Sequence, residues 1–321
     1  WEPSQIIGNQ WGENKQLKIR YNKIIENDAL HKAIENVISK INSNDIELPK
    51  YKYDGEGDVL LEISIYDHHF GKLAHKDETG NNYDLKIAKK LYYEAFDNIL
   101  TRAKNSNKID RILFPVGQDL FHVNNEINTT AGGTFQDTDS RLTKIFETVQ
   151  ETLINCIDKM LKVAPVDIVY VSDNHGPINS YFMCKVIEAY YKNNPNVTVD
   201  TSNLSRKYYQ YGNTLIGMCH GHSEKADTLA LTMACEAKQL WANTMFHEFH
   251  LGHYHKRAEK KYNTVDSLGD VIVRYLPSLC GTDKWHETKG YNTTRKFCEC
   301  YLYDKTNGPI GSLIYNKVKE E

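Results

Sequence analysis

The sequence predicts an α/β fold of two packed, mixed β-sheets flanked by helices, and three observations predict it. Short apolar runs alternate with long amphipathic ones through the middle of the chain, as in sheets covered by helices. Two hairpin signals, Gly212-Asn213 and Asn307-Gly308, lie among the later apolar runs. The runs that read as strands end repeatedly in Asp, Asn and His. In open α/β sheets, sites collect in the crevice beyond the carboxyl ends of strands.

Taken in order, residues 1–56 read as a small N-terminal appendage. "LKIRYNKI" has strand character, and "DALHKAIENVISKINSN" has an Asp start and helical apolar spacing. "KYDGEGD" then makes a turn-rich boundary, and residues 57–321 form the main domain. Within it "VLLEISIYD" is a strand, "YDLKIAKKLYYEAFDNILTRAK" a helix and "IDRILFPVGQD" a buried strand. After a polar loop, "SRLTKIFETVQETLINCIDKMLKV" is a helix, "PVDIVYVSDNHG" a strand and "INSYFMCKVIEAYYKNN" a helix. "KYYQYGNTLIGMCHGH" reads as one hairpin and "FCECYLYDKTNGPIGSLIYNK" as a second. The C-terminal hairpins, residues 265–318, either complete a sheet or form a substrate face.

Composition excludes some classes. The 321 residues can bury a large core, and 40% hydrophobic with 25% charged residues is ordinary for a soluble globular protein. No stretch reaches the ~18 apolar residues that a membrane span needs, so no membrane partner is expected. The opening "WEPSQIIGNQWGENKQ" carries neither a signal-peptide pattern nor an initiator Met, which predicts a trimmed, cytoplasmic chain. Seven scattered cysteines without a C-x-x-C pair predict reduced thiols, mostly small core residues. Net charge is -3, but residues 256–321 carry 12 Lys/Arg against 9 Asp/Glu. This mild asymmetry is compatible with a nucleic-acid-facing end.

The strand ends carry the chemistry. They supply Asp67-His68-His69, then Asp119 with His122, then Asn174-His175, then His220 with His222, and finally Gly252-His253-Tyr254-His255. In an extended chain residues two apart project to one side. His253 and His255 are thus expected to share a pocket while Tyr254 faces away, with Gly252 letting the chain turn. Any one of these pairs alone reads as a turn residue beside a surface histidine; the ordered set of five does not. Converging oxygen and imidazole donors suit divalent metals such as Mn, Fe or Zn. His222 is expected at a solvated rim, His68 in a structural role, and His247 and His250 as strand or surface residues.

Across roughly residues 60–256 that order resembles the calcineurin-like metallophosphoesterase family, whose pattern runs Asp-x-His, Gly-Asp, Gly-Asn-His, His, Gly-His-x-His. "DLFH" at Asp119 to His122 looks more specifically like the SbcD-type DNA repair exonuclease branch. The resemblance implies a phosphodiesterase dependent on two divalent ions, Mn first with Fe or Zn as alternatives. It implies that Asp67, His69 and His255 hold one ion, that Asn174, His220 and His253 hold the other, and that Asp119 bridges them. His175 would be the catalytic histidine outside the ligand set, and His122 would touch the substrate phosphate. A homo-oligomer, and by family analogy an ATPase partner, are compatible with this reading.

Two departures stand out. The family's Gly-Asp is here Gly117-Gln118-Asp119, which reads as an inserted residue. The third motif is Asp173-Asn174-His175-Gly176, which lacks the carboxylate that could orient His175 and asks Asp173 to hold a left-handed turn.

For substrate, "KWHETKGYNTTRKF" interleaves Lys284, Lys289 and Arg295 with Trp285 and Tyr291. Such a mixture can neutralise phosphates and stack on bases, or can be a solvated loop. A DNA nuclease, a phosphoesterase for small nucleotides or phosphoproteins, and a non-catalytic scaffold like the retromer subunit of this fold all remain open.

Overall fold

A computed structural model describes residues 2–9, 16–22, 57–255, 258–263, 270–281 and 295–317. Strands β1 (Glu2–Asn9) and β2 (Gln16–Asn22) form their own antiparallel pair. The sequence pointed only to the second of them, and the helix expected in residues 28–44 lies outside the described residues.

One six-stranded sheet has the order β13-β12-β3-β4-β5-β6. Its members are β3 (Val59–Glu62), β4 (Ile109–Gly117), β5 (Val166–Val171), β6 (Val197–Asp200), β12 (Phe297–Asp304) and β13 (Gly308–Asn316). From β3 to β6 neighbours run parallel, and the hairpin β12–β13 adds antiparallel at the β3 edge. The second sheet, order β10-β11-β9-β8-β7, is built from β7 (Lys207–Tyr211), β8 (Thr214–Cys219), β9 (Phe246–Leu251), β10 (Ala258–Asn263) and β11 (Asp270–Tyr275). In it β8, β9 and β11 are parallel. Strands β6 and β10 carried no clear sequence signal, the first being short and the second polar.

Six helices accompany these sheets among the described residues: α1 (Lys76–Thr79), α2 (Leu85–Ser106), α3 (Leu142–Met160), α4 (Pro177–Tyr190), α5 (Leu229–Glu236) and α6 (Lys238–Ala242). Helix α2 begins where Asp84 accepts a hydrogen bond from the Ile87 amide at 2.6 Å, an N-cap contact. Its buried stripe, Leu85, Ala88, Leu91, Tyr92, Ala95 and Phe96, follows the helical period. Pro177 opens α4, where its missing N–H costs nothing.

Period-2 alternation sorts the strand residues into layers. On the six-stranded sheet Leu61, Ile112, Phe114 and Ile168 face the helices, with Ile145, Phe146 and Leu153 of α3 in the same cluster. Their neighbours Leu60, Leu113 and Val169 turn the other way and meet Ile216 and Met218 of the second sheet. The outer face of that sheet, with Leu215, Phe249 and Val273, is covered by Leu229 and Met233 of α5. Helix, sheet, sheet, helix is the layer order. Because both faces of the central strands are buried, they read as continuous apolar runs.

A charged network breaks the apolar middle layer. Glu62 of β3 faces Glu248 and His250 of β9, all fully buried. His250 places Nδ1 2.8 Å from Glu62 and Nε2 3.3 Å from Glu248. Arg274 of β11 donates to Glu248 at 2.6 Å, and the Tyr303 hydroxyl donates to it at 3.0 Å. Two carboxylates, one imidazolium and one guanidinium therefore balance between the sheets. Of the two readings of His250, strand or surface, the strand holds, with alternation turning the side chain inward. His247 is also buried, stacked on Trp241 with ring centroids 3.7 Å apart.

Burial works against the His250 imidazolium, but Glu62 and Glu248 outweigh it and push the pKa up from 6.5 to about 9. The stabilisation from protonated His250 is therefore complete below about pH 6.5 and is lost as pH rises through about 9. Urea unfolding of wild type and His250→Gln is expected to differ by up to about 3 kcal/mol at neutral pH. That gap narrows above pH 9; a gap independent of pH would show that His250 is neutral in the folded chain.

A candidate metal centre at the strand ends

The carboxyl ends of β3, β4 and β5 in one sheet, and of β8 and β9 in the other, open on the same crevice. The segments after β3 and β4 descend side by side, joined by backbone bonds. The amide of Asp67 donates to the Gln118 carbonyl at 2.8 Å and that of His69 to the Asp119 carbonyl at 2.9 Å. Asp67, His69, Gln118, Asp119, His253 and His255 all have φ between 50° and 65°. Left-handed backbone is uncommon outside Gly, although Asp and His tolerate it better than most residues. Six such residues at one crevice concentrate backbone strain there, as functional sites commonly do.

This geometry corrects the expected arrangement of the last motif. His253 and His255 do not reach one pocket along an extended strand; left-handed turns aim them there, while Tyr254 faces solvent. Gly252 is needed for close approach rather than for turning, since a Cβ on it would fall 2.9 Å from Asp67 Oδ2. Gly117 has a similar reason: φ is 116°, and a Cβ would fall 1.9 Å from the Val171 carbonyl oxygen.

The side chains converge. The Asp119 carboxylate places Oδ2 3.1 Å from His220 Nε2 and 3.9 Å from His69 Nε2. Asn174 Oδ1 lies 2.8 Å from His220 Nε2 and 3.1 Å from His253 Nδ1. His255 Nε2 lies 3.1 Å from His69 Nε2 and 3.8 Å from Asp67 Oδ1. Asp67 Oδ1 accepts from the His253 amide at 2.9 Å. Among the described residues four groups bring their ligand atoms within 4.8 Å of one another: Asp67, His69 and Asp119; Asp119, His220 and His253; His69, His122 and His175; and His69, His255 and Cys280. His122 is buried, its Nδ1 3.4 Å from His69 Nδ1 and its ring stacked on His175. His222 is exposed, and buried His68 meets the Ala88 carbonyl through Nε2 at 2.9 Å.

Two observations fit a cation in this crevice. Asp67 Oδ2 is buried with no hydrogen-bond partner, a costly state for a carboxylate oxygen. His220 gives its Nδ1 proton to Gln118 Oε1 at 3.1 Å, so Nε2 turns its lone pair toward two oxygen acceptors. Either a second proton or a metal ion must stand between them. The titration behaviour agrees. Burial lifts the Asp67 carboxyl to about 6 despite His255 and His220. Burial opposes the His220 imidazolium, but Asp119 and Asp67 outweigh it and raise it to about 9. Burial, aided by His220, lowers His253 to about 4, leaving its imidazole neutral at pH 7. These His and Asp clusters can bind metal ions.

The departures from the family pattern acquire physical roles. Gln118 is fully buried, and besides holding His220 it donates through Nε2 to the Cys219 carbonyl at 3.1 Å. No sequence signal identified this clamp, because Gln118 and His220 meet only across the two sheets. Asp173 is absent from the left-handed residues; instead its carboxylate accepts from the Gly176 amide and the Ser180 hydroxyl, both at 2.9 Å. His175 needs no following carboxylate, since its Nδ1 donates to the His122 carbonyl at 2.8 Å and its amide donates to Asp119 Oδ1 at 2.9 Å.

Of the expected substrate-contacting residues, Lys284, Trp285, Lys289 and Tyr291 lie outside the described residues. Arg295 is exposed, with its guanidinium 5.2 Å from the centre of the Phe297 ring. A polar cavity of about 540 Å³ opens beside His220, lined by Ser172, Arg206, His222, Ser223 and Lys225 among others. No helix among the described residues is long and apolar enough to cross a membrane.

No family profile and no curated sequence matches the chain. Among solved structures it is similar to a single mutant of Vps29 from Entamoeba histolytica, 12% identical with a TM-score of 0.30, over 81% of this chain and 99% of that one. Vps29 of Chaetomium thermophilum is 11% identical at a TM-score of 0.30, over 81% of this chain and 100% of that one. The Thermotoga maritima protein TM1076 is 12% identical at 0.28, over 81% and 99%. Likenesses this distant carry no argument about activity.

Replacing Gln118 by Leu strands the buried His220 Nδ1–H. Denaturant unfolding of Gln118→Leu is expected to show a loss of about 1–3 kcal/mol. No measurable loss would mean that the contact is incidental.

Proposed function

We propose that the chain is a metal-dependent phosphodiesterase, with DNA as the first substrate to test. The observation that carries the reading is the crevice itself, where two buried carboxylates, Asn174 and four imidazoles from five strand ends point their ligand atoms at one another. Asp67, His69 and His255 would hold one divalent ion, Asn174, His220 and His253 a second, and Asp119 would touch both. Ions held there would supply the Lewis acidity that makes water a nucleophile near neutral pH.

The remaining residues act on phosphorus and leaving group. With Nδ1 committed to the His122 carbonyl, His175 presents Nε2 4.0 Å from Asp119 Oδ2, at the edge of the ligand cluster. From there it can place positive charge against a phosphoryl oxygen or protonate a departing alkoxide. His122, which would touch the substrate phosphate, stacks on the His175 ring with its Nδ1 3.4 Å from His69 Nδ1.

The cavity beside His220 favours a second reading, a small-nucleotide or phosphoprotein phosphoesterase. Its ~540 Å³ lies within the usual size of small-ligand pockets, and its hydroxyls, Arg206 and Lys225 suit a phosphorylated sugar.

Elemental analysis of the purified protein, joined to Mn-dependent assays on DNA and on a chromogenic phosphodiester, separates the readings. Bound metal with salt-sensitive DNA cleavage supports the nuclease. Turnover of the small diester alone supports the second reading, and metal without any turnover supports a scaffold. Absence of bound metal overturns the site. In the active case His175→Ala is expected to keep its metal and lose about 10²–10⁴-fold in turnover, whereas Asp119→Asn loses metal as well. Unimpaired turnover in both would reject these roles.

A further inference from the structure

Cys280 stands at the candidate centre, where neither the strand-end pattern nor the family resemblance places a ligand. After β11 the chain returns beneath the crevice. The Ser278 hydroxyl donates to the Asp67 carbonyl at 2.7 Å and accepts from the Cys280 amide at 3.0 Å. The Cys280 backbone is therefore tied to the turn that presents Asp67, and without an ion its thiol can donate to the Gly281 carbonyl at 3.4 Å. Cys280 is 0% exposed, and its Sγ and ring nitrogens of His69 and His255 all lie within 4.8 Å of one another. None of the other six cysteines stands in such a group among the described residues.

A second feature sets this thiol apart. Lys72, 1% exposed, directs Nζ to Cys280 Sγ at 3.5 Å. An ammonium beside sulfur stabilises the thiolate, the form that binds metal. Cys280 shares the apolar cluster beneath the helices with Cys156, Cys184, Cys298 and Cys300, but none of those four stands in a group of potential metal ligands.

We propose that Cys280 is a thiolate ligand to the ion held by His69 and His255. The inference rests on the metal-centre reading and goes beyond it in ligand set and in ion selectivity. Binding replaces the S–H bond by a sulfur–metal bond and releases the proton to solvent. Thiolate and imidazole donors favour zinc, whereas manganese favours carboxylate and water. This half of the centre is accordingly zinc-selective, against the expectation of manganese first.

The test is titration of the full-length chain with cobalt(II), read by absorption. Wild type is expected to show the visible ligand-field bands of bound cobalt together with a near-ultraviolet sulfur-to-cobalt charge-transfer band. Cys280→Ser is expected to keep the visible bands and lose the charge-transfer band. Its zinc affinity should fall by about tenfold or more, the loss seen even for outer-sphere partners, while its manganese affinity changes less. Cobalt bound to wild type without the charge-transfer band, or a band that persists in Cys280→Ser, overturns the thiolate and leaves the metal centre standing. No cobalt bound to wild type overturns both. Should Cys280→Ser misfold by circular dichroism, the wild-type spectrum alone decides.

Discussion

Two carboxylates, Asp67 and Asp119, are buried where the ends of two sheets meet, and the local structure around the crevice is arranged about them. A carboxylate removed from water needs donors or cations in its place. Asp119 finds the His175 amide and the imidazole of His220; Asp67 finds the His253 amide and leaves its second oxygen without a donor. Each partner arrives from a different strand. The requirement therefore fixes how the two sheets stand against each other, not merely how one loop is shaped.

The backbone accommodates this at a local cost. Six non-glycine residues at the crevice hold left-handed conformations, each costing roughly 1–2 kcal/mol relative to ordinary backbone. Parallel backbone bonds between the segments after β3 and β4 hold four of them in register. Glycines at 117 and 252 are bare where the chain passes closest to a neighbouring strand or to Asp67. Strain, close approach and buried charge coincide at one crevice, which is the pattern expected where structure is subordinate to chemistry.

Strand β9 links the site to the core beneath it. His250 lies in the charged network between the sheets, and three residues later His253 enters the crevice. Glu62 ends β3, and five residues later Asp67 enters the same crevice. Ion pairs crossing from one sheet to the other are directional in a way that apolar contacts are not. They fix the shear between the sheets and hence the separation of the strand ends.

Much of the site was legible in the sequence because its residue types are rare at strand ends and recur in order. Asp67, His69, Asp119, Asn174, His220, His253 and His255 could each be named from the pattern, and they do converge. The layer order followed from alternation and helical periodicity, which are properties of neighbours in sequence. Tertiary structure decided what depends on residues far apart in the chain. Gln118, read as an insertion, became the clamp of His220; Asp173, read as a left-handed turn, became the acceptor for the Gly176 amide and the Ser180 hydroxyl; His250, read as a strand or surface residue, became a buried ion on a strand. Cys280, one core thiol among several by composition, came to stand beside two ring nitrogens. The sequence determined which groups lie at the end of each strand, since that is set by local period. Only the packing of one sheet on the other decided which groups touch, since a contact between residues a hundred or more positions apart leaves no spacing to read.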